Sequence, residues 1–426
     1  MSSIAATPSP AGLDPAQEQR LLLALAGIQF THILDFMIMM PLGPMLMRAF
    51  GLSTAQFAVL VSTYTFSAAV AAILAATVID RFNRRGVVLW LYAGFIVATA
   101  ACAAAPGYAA LLIARGAAGV FGGVLGAMVQ TYIGDTIPFE RRGRATGKVM
   151  AAFSLSTVAG VPLGLLLAHH VPALAWRAPF LFAALLALGF WCLARKALPS
   201  IPARVTDSRW SETLTPIKAV LSHANHWRAF AFMVLLMISG FTVIPYITIF
   251  ATANQGFAED KLPLMYLIGG ACTFFTARYF GRATDQYGKA KTFRVIAVLA
   301  MLPILALTQS GPLPWWAVLC ISTPFFILVS GRFVPGMAMI TSASQPNLRG
   351  TFMSLSSAVQ QAASGLAALI AGLIISRSAD GFVLHYDRVG YLACAASMGA
   401  IILAGYLVPA DAKLAPTPPA VRSNTD

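Results

Sequence analysis

Apolar residues in this chain form long runs, which are separated by short stretches rich in Gly, Pro and charged residues. A helix needs about 20 apolar residues to cross the hydrocarbon core of a bilayer, and twelve runs approach or exceed that length. They lie at 21–43, 56–79, 87–105, 109–133, 145–168, 176–195, 229–251, 263–284, 292–310, 315–342, 350–376 and 389–408. The pattern predicts an all-α integral membrane protein with twelve transmembrane segments.

The longest polar interval, residues 196–228, separates these segments into two sets of six. Five basic residues lie in it: Lys196, Arg204, Arg209, Lys218 and Arg228. We therefore expect a cytoplasmic linker at 196–228 between six-helix bundles at 21–195 and 229–408, with cytoplasmic tails at 1–20 and 409–426. The turns AATVIDRFNRRG and GRATDQYGKAK follow segments 2 and 8, and related turns at the same place in two halves are typical of transporter repeats.

Composition supports the membrane class and fixes an expected orientation. Apolar residues make up 58% of the chain and charged residues 10%, against about 25% charged in a soluble domain. The net charge of +14 comes from short basic clusters between apolar runs, a pattern that disfavours nucleic-acid binding. Lys and Arg are retained on the cytoplasmic side of short loops. With both termini in the cytoplasm, only five of the 29 basic residues lie outside: Arg48, Arg177, Lys261, Arg377 and Arg388.

Segment 1 contains polar residues near its middle, in the stretch FTHILDFMIMMPLGP of residues 30–44. Gln29, His32 and Asp35 recur every third residue, so on a helix they form one polar stripe. Such a stripe contacts either water or polar groups of other helices. A carboxylate in hydrocarbon either finds a cation or becomes protonated, and both outcomes suit Asp35 as a proton carrier. Two alternatives stay open: a permanent ion pair of Asp35 with an arginine, and a hydrogen-bonded packing role for His32.

Two arginines also lie inside apolar segments, Arg115 in segment 4 and Arg332 in segment 10. A cation at bilayer depth costs at least about 2.5 kcal/mol on insertion scales, so each is expected to face a cavity or a partner. Four polar-tipped residues of other segments are further candidates for a substrate cavity: Tyr64, Tyr246, Gln360 and Gln361. For these four, ordinary hydrogen bonding between helices is the alternative.

The turn after segment 2 resembles the signature loop of the major facilitator superfamily, and the resemblance extends through about residue 408. Asp80, Arg81, Arg84 and Arg85 match that signature, while Ala76 and Asn83 replace its two glycines. The second copy retains Gly281, Asp285, Gly288 and Lys289 but has Gln286 in place of an arginine. The resemblance implies that these residues form a cytoplasmic gate between the halves. For Arg84 and Arg85, enforcement of topology alone is the alternative.

Two further motifs are similar to those of proton-driven members of the superfamily. ARGAAGVFGG in segment 4 places Arg115, Gly119 and Gly123 on one face, as in the arginine motif of proton-coupled members. STVAGVPLG in segment 5 is similar to the antiporter motif, here with Val161 between Gly160 and Pro162 and with Gly164 after them. Together with WRAPF around Trp176, it is most similar to exporters of the arabinose-efflux type. A simple kink is the alternative for this motif.

The resemblance implies a cavity lined by segments 1, 4, 7 and 10, which would place Asp35, Arg115 and Arg332 around one space. We therefore predict a proton-coupled antiporter of the inner membrane that exports a small organic molecule by alternating access between two rocking halves. Asp35, His32 and Arg115 would couple the proton. Surplus positive charge at Arg115 and Arg332 slightly favours an anionic substrate group. The expected energy source is the proton gradient, with no cofactor and no metal, and the expected state is a monomer.

Other functions are less compatible with the sequence. An uptake symporter or facilitator on the same fold is the nearest alternative, and the segment-5 motif is the feature that disfavours it. A membrane sensor is disfavoured because the chain has no extramembrane domain to pass on a signal. An enzyme is disfavoured because HExxH, GxSxG and phosphate-loop motifs are missing and the six histidines form no ligand set.

Overall fold

The computed structural model describes residues 14–78, 82–201, 210–345 and 348–409. Within these ranges its long helices form twelve segments, which we label α1 to α12 in chain order. Segments α1 to α4 comprise Pro15–Ile38, Thr54–Val78, Arg84–Ala104 and Tyr108–Thr136. Segment α5 consists of three consecutive pieces, Phe139–Leu155, Ser156–Gly160 and Val161–His170, and α6 is Ala178–Ala197. Segment α7 consists of Ala224–Phe241, Ile244–Tyr246 and Ile247–Ala253, and α10 consists of Trp315–Gly331 and Phe333–Ala343. The uninterrupted segments are α8 at Leu262–Tyr287, α9 at Lys289–Gln309, α11 at Arg349–Ile374 and α12 at Tyr386–Leu403.

The all-α membrane class is confirmed. Ten of the described segments are long and apolar enough to cross a membrane by length and composition alone. The other two are α8, which carries Arg278, Arg282 and Asp285, and α12, which is 18 residues long and begins next to Asp387 and Arg388. Both match predicted runs in position, so the described helices agree with the twelve-segment pattern.

Three short elements lie outside the predicted segments. A helix at Gly43–Phe50 follows α1 and ends at Gly51, whose φ of 62° is a left-handed conformation that favours glycine. A second helix, Trp210–Leu221, occupies part of the interval predicted as a linker. An antiparallel pair of two-residue strands, Ser376–Arg377 and Val383–Leu384, connects α11 to α12. Such short elements bury too few apolar residues to show in the hydropathy pattern.

Three of the segments are interrupted along their length. In α5, residues Ser156–Gly160 form a π-helical turn that ends two residues before Pro162. In α7, a 3-10 turn at Ile244–Tyr246 contains Pro245. In α10, the helix is interrupted at Arg332, three residues before Pro335. Proline has no N–H to continue the helical bonding pattern, and π-turns often mark functional positions.

The two ends of the helix bundle can be told apart by their contacts. We call the end at which α1 begins and α12 ends the terminal face, and the opposite end the distal face. At the terminal face, Asn225 Nδ2 at the start of α7 donates to Val408 O at 2.8 Å, just after α12. At the distal face, Asn254 Nδ2 donates to Val383 O at 2.9 Å, which joins the end of α7 to the loop before α12.

The hydrophobic core has three main parts with different memberships. The largest lies toward the distal face and contains residues of both halves, such as Leu60 and Trp176 from the first and Ile249 and Tyr386 from the second. A second cluster draws its buried residues from Leu21 to Leu198, all in the first half. A third draws them from Val220 to Ala404, all in the second half. The halves therefore share a core toward the distal face and pack separately toward the terminal face.

Candidate functional site

A buried ion pair connects α1 to α4 inside the first half. Arg115 Nη1 lies 2.8 Å from Asp35 Oδ2, and both side chains are buried, with 1% and 0% of their surfaces exposed. Thr99 Oγ1 of α3 donates to Asp35 Oδ1 at 3.3 Å. The polar stripe of segment 1 is thus paired at Asp35. In the described conformation Asp35 does not line an open cavity. Its side chain points into the first bundle, where it bonds to residues of α3 and α4.

Tyr64 of α2 packs on the Arg115 side of this pair. The Arg115 guanidinium carbon lies 4.5 Å from the centroid of the Tyr64 ring, a distance at which a cation is attracted to the face of an aromatic ring. Gly119, one turn along α4 from Arg115, permits the approach, because a Cβ at that position would overlap the Tyr64 carbonyl. The small residues of the ARGAAGVFGG motif therefore bring α2 and α4 close enough to enclose the arginine.

His32 and Gln29 extend the polar stripe from Asp35 toward the terminal face. The space beside Gly122 of α4 is shared by His32 and Tyr64, since a Cβ at Gly122 would meet the Tyr64 hydroxyl and lie 2.9 Å from His32 Cδ2. Both ring nitrogens of His32, the Tyr64 hydroxyl and Gln29 Oε1 are buried without a hydrogen-bond partner in the protein. Buried polar atoms of this kind are usually satisfied by water.

The second buried arginine lies apart from this pair. Arg332 is 1% exposed, and its Nη1 donates to Ser397 Oγ of α12 at 2.8 Å. Arg115 and Asp35 form an ion pair, as in the alternative given above for Asp35, whereas Arg332 makes its side-chain hydrogen bond within the second half. A space shared by all three charged groups stays a prediction.

The other predicted cavity residues have mixed positions. Tyr246 is fully buried at the distal face, where its hydroxyl donates to Ala368 O of α11 at 3.2 Å. It therefore makes the helix-to-helix hydrogen bond given above as the alternative. Gln360 and Gln361 are half-buried on α11. Their substrate contact stays a prediction.

Two of the predicted gate residues, Arg84 and Arg85, lie at the terminal face. Arg84 Nε forms an ion pair with Asp135 Oδ2 of α4 at 2.9 Å, and Arg85 Nη2 donates to Arg195 O of α6 at 2.6 Å. Both contacts join helices of the same half. Asp80 and Arg81 lie outside the described residues. Their gating role stays a prediction.

The second copy of the gate motif lies between α8 and α9. Asp285, Gly288 and Lys289 line a cavity of about 670 Å³ beside the end of α12. Gly288 has a φ of 88°, so the turn between the two helices itself requires glycine. A Cβ at Gly281 would meet no atom within 4 Å, so close packing does not require glycine at that position.

The segment-5 motif lies between α1 and α8. A Cβ at Gly160 would lie 3.0 Å from Leu34 Cδ1, and one at Gly164 would lie 2.8 Å from Ile38 Cδ1. Pro162 lies two residues after the π-turn, in which Ser156 Oγ donates to Phe30 O of α1 at 2.9 Å. On the other side, α8 of the second half packs against the turn. The motif therefore combines a break in α5 with close packing against both halves.

Contacts between the halves are concentrated at the distal face among the described residues. Thr54 Oγ1 of α2 donates to Ile375 O at 2.7 Å, and Thr248 Oγ1 of α7 donates to Met40 O at 3.2 Å. Nearby, Arg48 and Glu259 form an ion pair in which Nη2 lies 2.7 Å from Oε2. These bonds close the distal face.

Sequence reasoning missed the partners of the predicted charges. Thr99, Ser397 and Asp135 bond to Asp35, Arg332 and Arg84 respectively. Thr99 and Ser397 are small polar residues within apolar runs, where hydroxyls commonly bond to their own helix. Of the three partners, only Asp135 could have been recognised from the sequence, because it is an acidic residue close to the end of segment 4.

Comparison with known proteins identifies the family. The model of the Major Facilitator Superfamily matches residues 25–331, more than half of the chain. An uncharacterized MFS-type transporter of Bacillus subtilis (strain 168), YceJ, is 26% identical over 350 residues, which cover 82% of this chain and 87% of that protein.

Solved structures of low sequence identity share the fold. A D-xylose-proton symporter aligns with a TM-score of 0.74 and 16% identity, covering 93% of this chain and 98% of that one. A bacterial homolog of the human lysosomal transporter Spinster, in an inward-facing and occupied conformation, aligns with a TM-score of 0.70 and 14% identity, covering 94% and 96%. With its paired bundles and its matching family model, the chain belongs to the major facilitator superfamily and is a multi-pass membrane transporter rather than an enzyme.

Proposed function

We propose that this transporter is a proton-coupled antiporter that exports a small organic molecule and that the Asp35–Arg115 pair couples the proton. The observation that carries the proposal is the burial of this pair at bilayer depth, 2.8 Å apart. Ionisable residues in membrane segments are expensive and typically serve transport pathways or proton relays. The proton gradient is the energy source, and the monomer is the working unit.

Coupling follows from the charge balance around Asp35. Arg115 from α4 and Thr99 from α3 bond to the carboxylate, and the Tyr64 ring packs on the Arg115 guanidinium. Protonation of Asp35 would remove the charge that Arg115 neutralises. A buried arginine without its partner is costly, so the protonated state favours a conformation in which the pair has opened. The bound proton thus selects between two arrangements of the helices.

The described conformation fits the loading step of an exporter. With the terminal face in the cytoplasm, as the positive-inside rule predicts, the closed distal face is the outer one. The halves share a core on that side and have separate cores on the cytoplasmic side. A substrate would then enter from the cytoplasm while Asp35 is charged and paired. The π-turn of α5, packed between α1 and α8, provides a point about which the halves can move.

Direction is tested in everted membrane vesicles that are acidified inside by respiration. Addition of a substrate to the outside releases luminal protons through an antiporter of this direction, and the acridine orange signal recovers. An uptake symporter like the D-xylose-proton symporter that shares the fold would give no such recovery. A panel of organic compounds is tested with wild-type protein and Asp35→Asn, expressed at equal levels. Recovery that is lost in Asp35→Asn supports the proposal, and full recovery with that variant contradicts it.

A further inference from the structure

Arg332 is a buried cation that forms no ion pair with any residue that the structure describes. It lies about two thirds of the way along α10 from the distal face and is 1% exposed. Its hydrogen bond to Ser397 Oγ involves a neutral acceptor and uses Nη1 alone. Nε and Nη2 are buried and have no hydrogen-bond partner within the described ranges.

The two unpartnered nitrogens belong to one edge of the guanidinium group. The N–H groups of Nε and Nη2 point in nearly parallel directions, and this edge binds a carboxylate or phosphate through two N–H···O bonds at once. The edge faces α7, because a Cβ at Gly240 would lie 3.5 Å from Nη2. Glycine at that position leaves room beside the edge.

The described part of the chain has no acidic residue to neutralise Arg332. Asp35 is the one fully buried acidic residue found there, and Arg115 already holds it. Arginine does not lose its proton in proteins. Burial of a charge without a partner costs several kcal/mol per ion, and an anion from outside the chain would compensate the charge of Arg332.

Two helix interruptions meet at this arginine. Arg332 itself separates the two parts of α10, Trp315–Gly331 and Phe333–Ala343. On α7, Gly240 lies next to Ile244, where the 3-10 turn begins. Discontinuous helices of this kind commonly form substrate and ion sites near the middle of the membrane. Bending at either interruption would move the guanidinium edge relative to α7.

We propose that the Nε and Nη2 edge of Arg332, between the interruptions of α7 and α10, binds a carboxylate or phosphate group of the transported molecule. Ser397 positions the guanidinium by accepting the bond from Nη1. The substrate class is therefore an organic anion, and this assignment rests on the proposed transport function. It differs from the expectation that both arginines share the anion, because Arg115 is occupied by Asp35.

The test compares matched charged and neutral probes in chloride-free buffer. The melting temperature of the detergent-purified full chain is measured with millimolar benzoate or benzamide, acetate or acetamide, and methylphosphonate. Inorganic phosphate and chloride are added separately, to distinguish a free anion from an organic one. We expect at least one organic anion to raise the melting temperature by about 2 °C or more while its neutral partner does not.

Variants of Arg332 assign the effect to this residue. Arg332→Gln should abolish the difference between charged and neutral probes, and Arg332→Lys, which keeps the charge but lacks the fork, should reduce it. Arg349→Gln, at the terminal end of α11, is the matched control and should behave as wild type. Persistence of the difference in Arg332→Gln, an equal response to chloride alone, or no response to any organic anion would overturn the assignment. The experiment uses no proton gradient, so its outcome is independent of the Asp35 test.

Discussion

The Asp35 carboxylate and the Arg115 guanidinium form a salt bridge of 2.8 Å that neither solvent nor lipid reaches. The net contribution of a buried ion pair to stability is small, but removal of one partner is strongly destabilising because it leaves the other charge buried and unpaired. The surrounding side chains, Tyr64 and Thr99, come from two further helices. The pair therefore connects four helices of the first half, and its state of charge affects how they pack.

Removal of one partner should cost far more stability than removal of both charges. We expect Arg115→Met to lower the free energy of unfolding by about 3–5 kcal/mol, because Asp35 is left buried and unpaired. The double variant Asp35→Asn with Arg115→Met should recover a large part of that loss. Chemical denaturation in detergent measures both, and additive effects of the single variants would show that the two groups do not interact.

Arg332→Met should raise the stability of the protein, whereas Arg115→Met should lower it. Methionine replaces a buried charge that has no counter-charge, so the substitution is expected to raise the melting temperature of the ligand-free protein. Arg349→Met, at the terminal face, serves as the control and should change it little. A clear loss of stability in Arg332→Met would show that a protein group neutralises this arginine.

A side chain at Gly270 of α8 would press against the backbone of α5. A Cβ there would lie 3.1 Å from both Thr157 O and Val158 Cα, which are backbone atoms of the π-turn in α5. We expect Gly270→Val to destabilise the protein by about 1–3 kcal/mol. Gly281→Ala on the same helix is the matched control, since its Cβ would meet nothing within 4 Å, and it should be neutral or slightly stabilising. Equal effects of the two substitutions would argue against the close α5–α8 contact.

The Arg48–Glu259 pair should contribute weakly and in a salt-dependent way to closure of the distal face. Its side chains are 58% and 23% exposed, and exposed pairs typically contribute about 0.2–1 kcal/mol. Arg48→Glu should increase the population with an open distal face, and the swap Arg48→Glu with Glu259→Arg should reverse the change at low ionic strength. Spin-label distances across that face report both, and failure of the swap to reverse the effect would exclude a charge interaction.

The fold was predictable because hydropathy alone specifies long apolar helices, and the charged positions were predictable because charges at bilayer depth are rare. Asp35 and Arg115 were identified on that basis. Their mutual contact was foreseen only as an alternative, since the spacing along each helix does not determine which faces of α1 and α4 meet. The partner of Arg332 could not be predicted for the same reason, because the depth of a residue in the membrane does not reveal which neighbour its side chain contacts.

Local features depended on packing that sequence patterns do not encode. The GVPLG motif predicted a kink or a functional turn in α5 but not the π-turn at Ser156–Gly160. Thr99 and Ser397 have hydroxyls that would serve equally well in an ordinary helix. The helix at Gly43–Phe50 is too short to stand out from the apolar run before it. Each becomes informative only when the neighbouring helix is in place.

The central claim, that the charge of Asp35 selects the open face, is tested by measuring distances between spin labels at several pH values. One pair, Ala109 and Leu373, spans the distal face, and the other, Gly143 and Gly350, spans the terminal face. All four residues are exposed, and the five native cysteines are replaced.

In the described conformation Asp35 is paired with Arg115, so acidification should lower the population of this conformation: distal distances lengthen and terminal distances shorten. In Asp35→Asn both distributions should be independent of pH. A wild-type pH response that persists in Asp35→Asn would contradict the account.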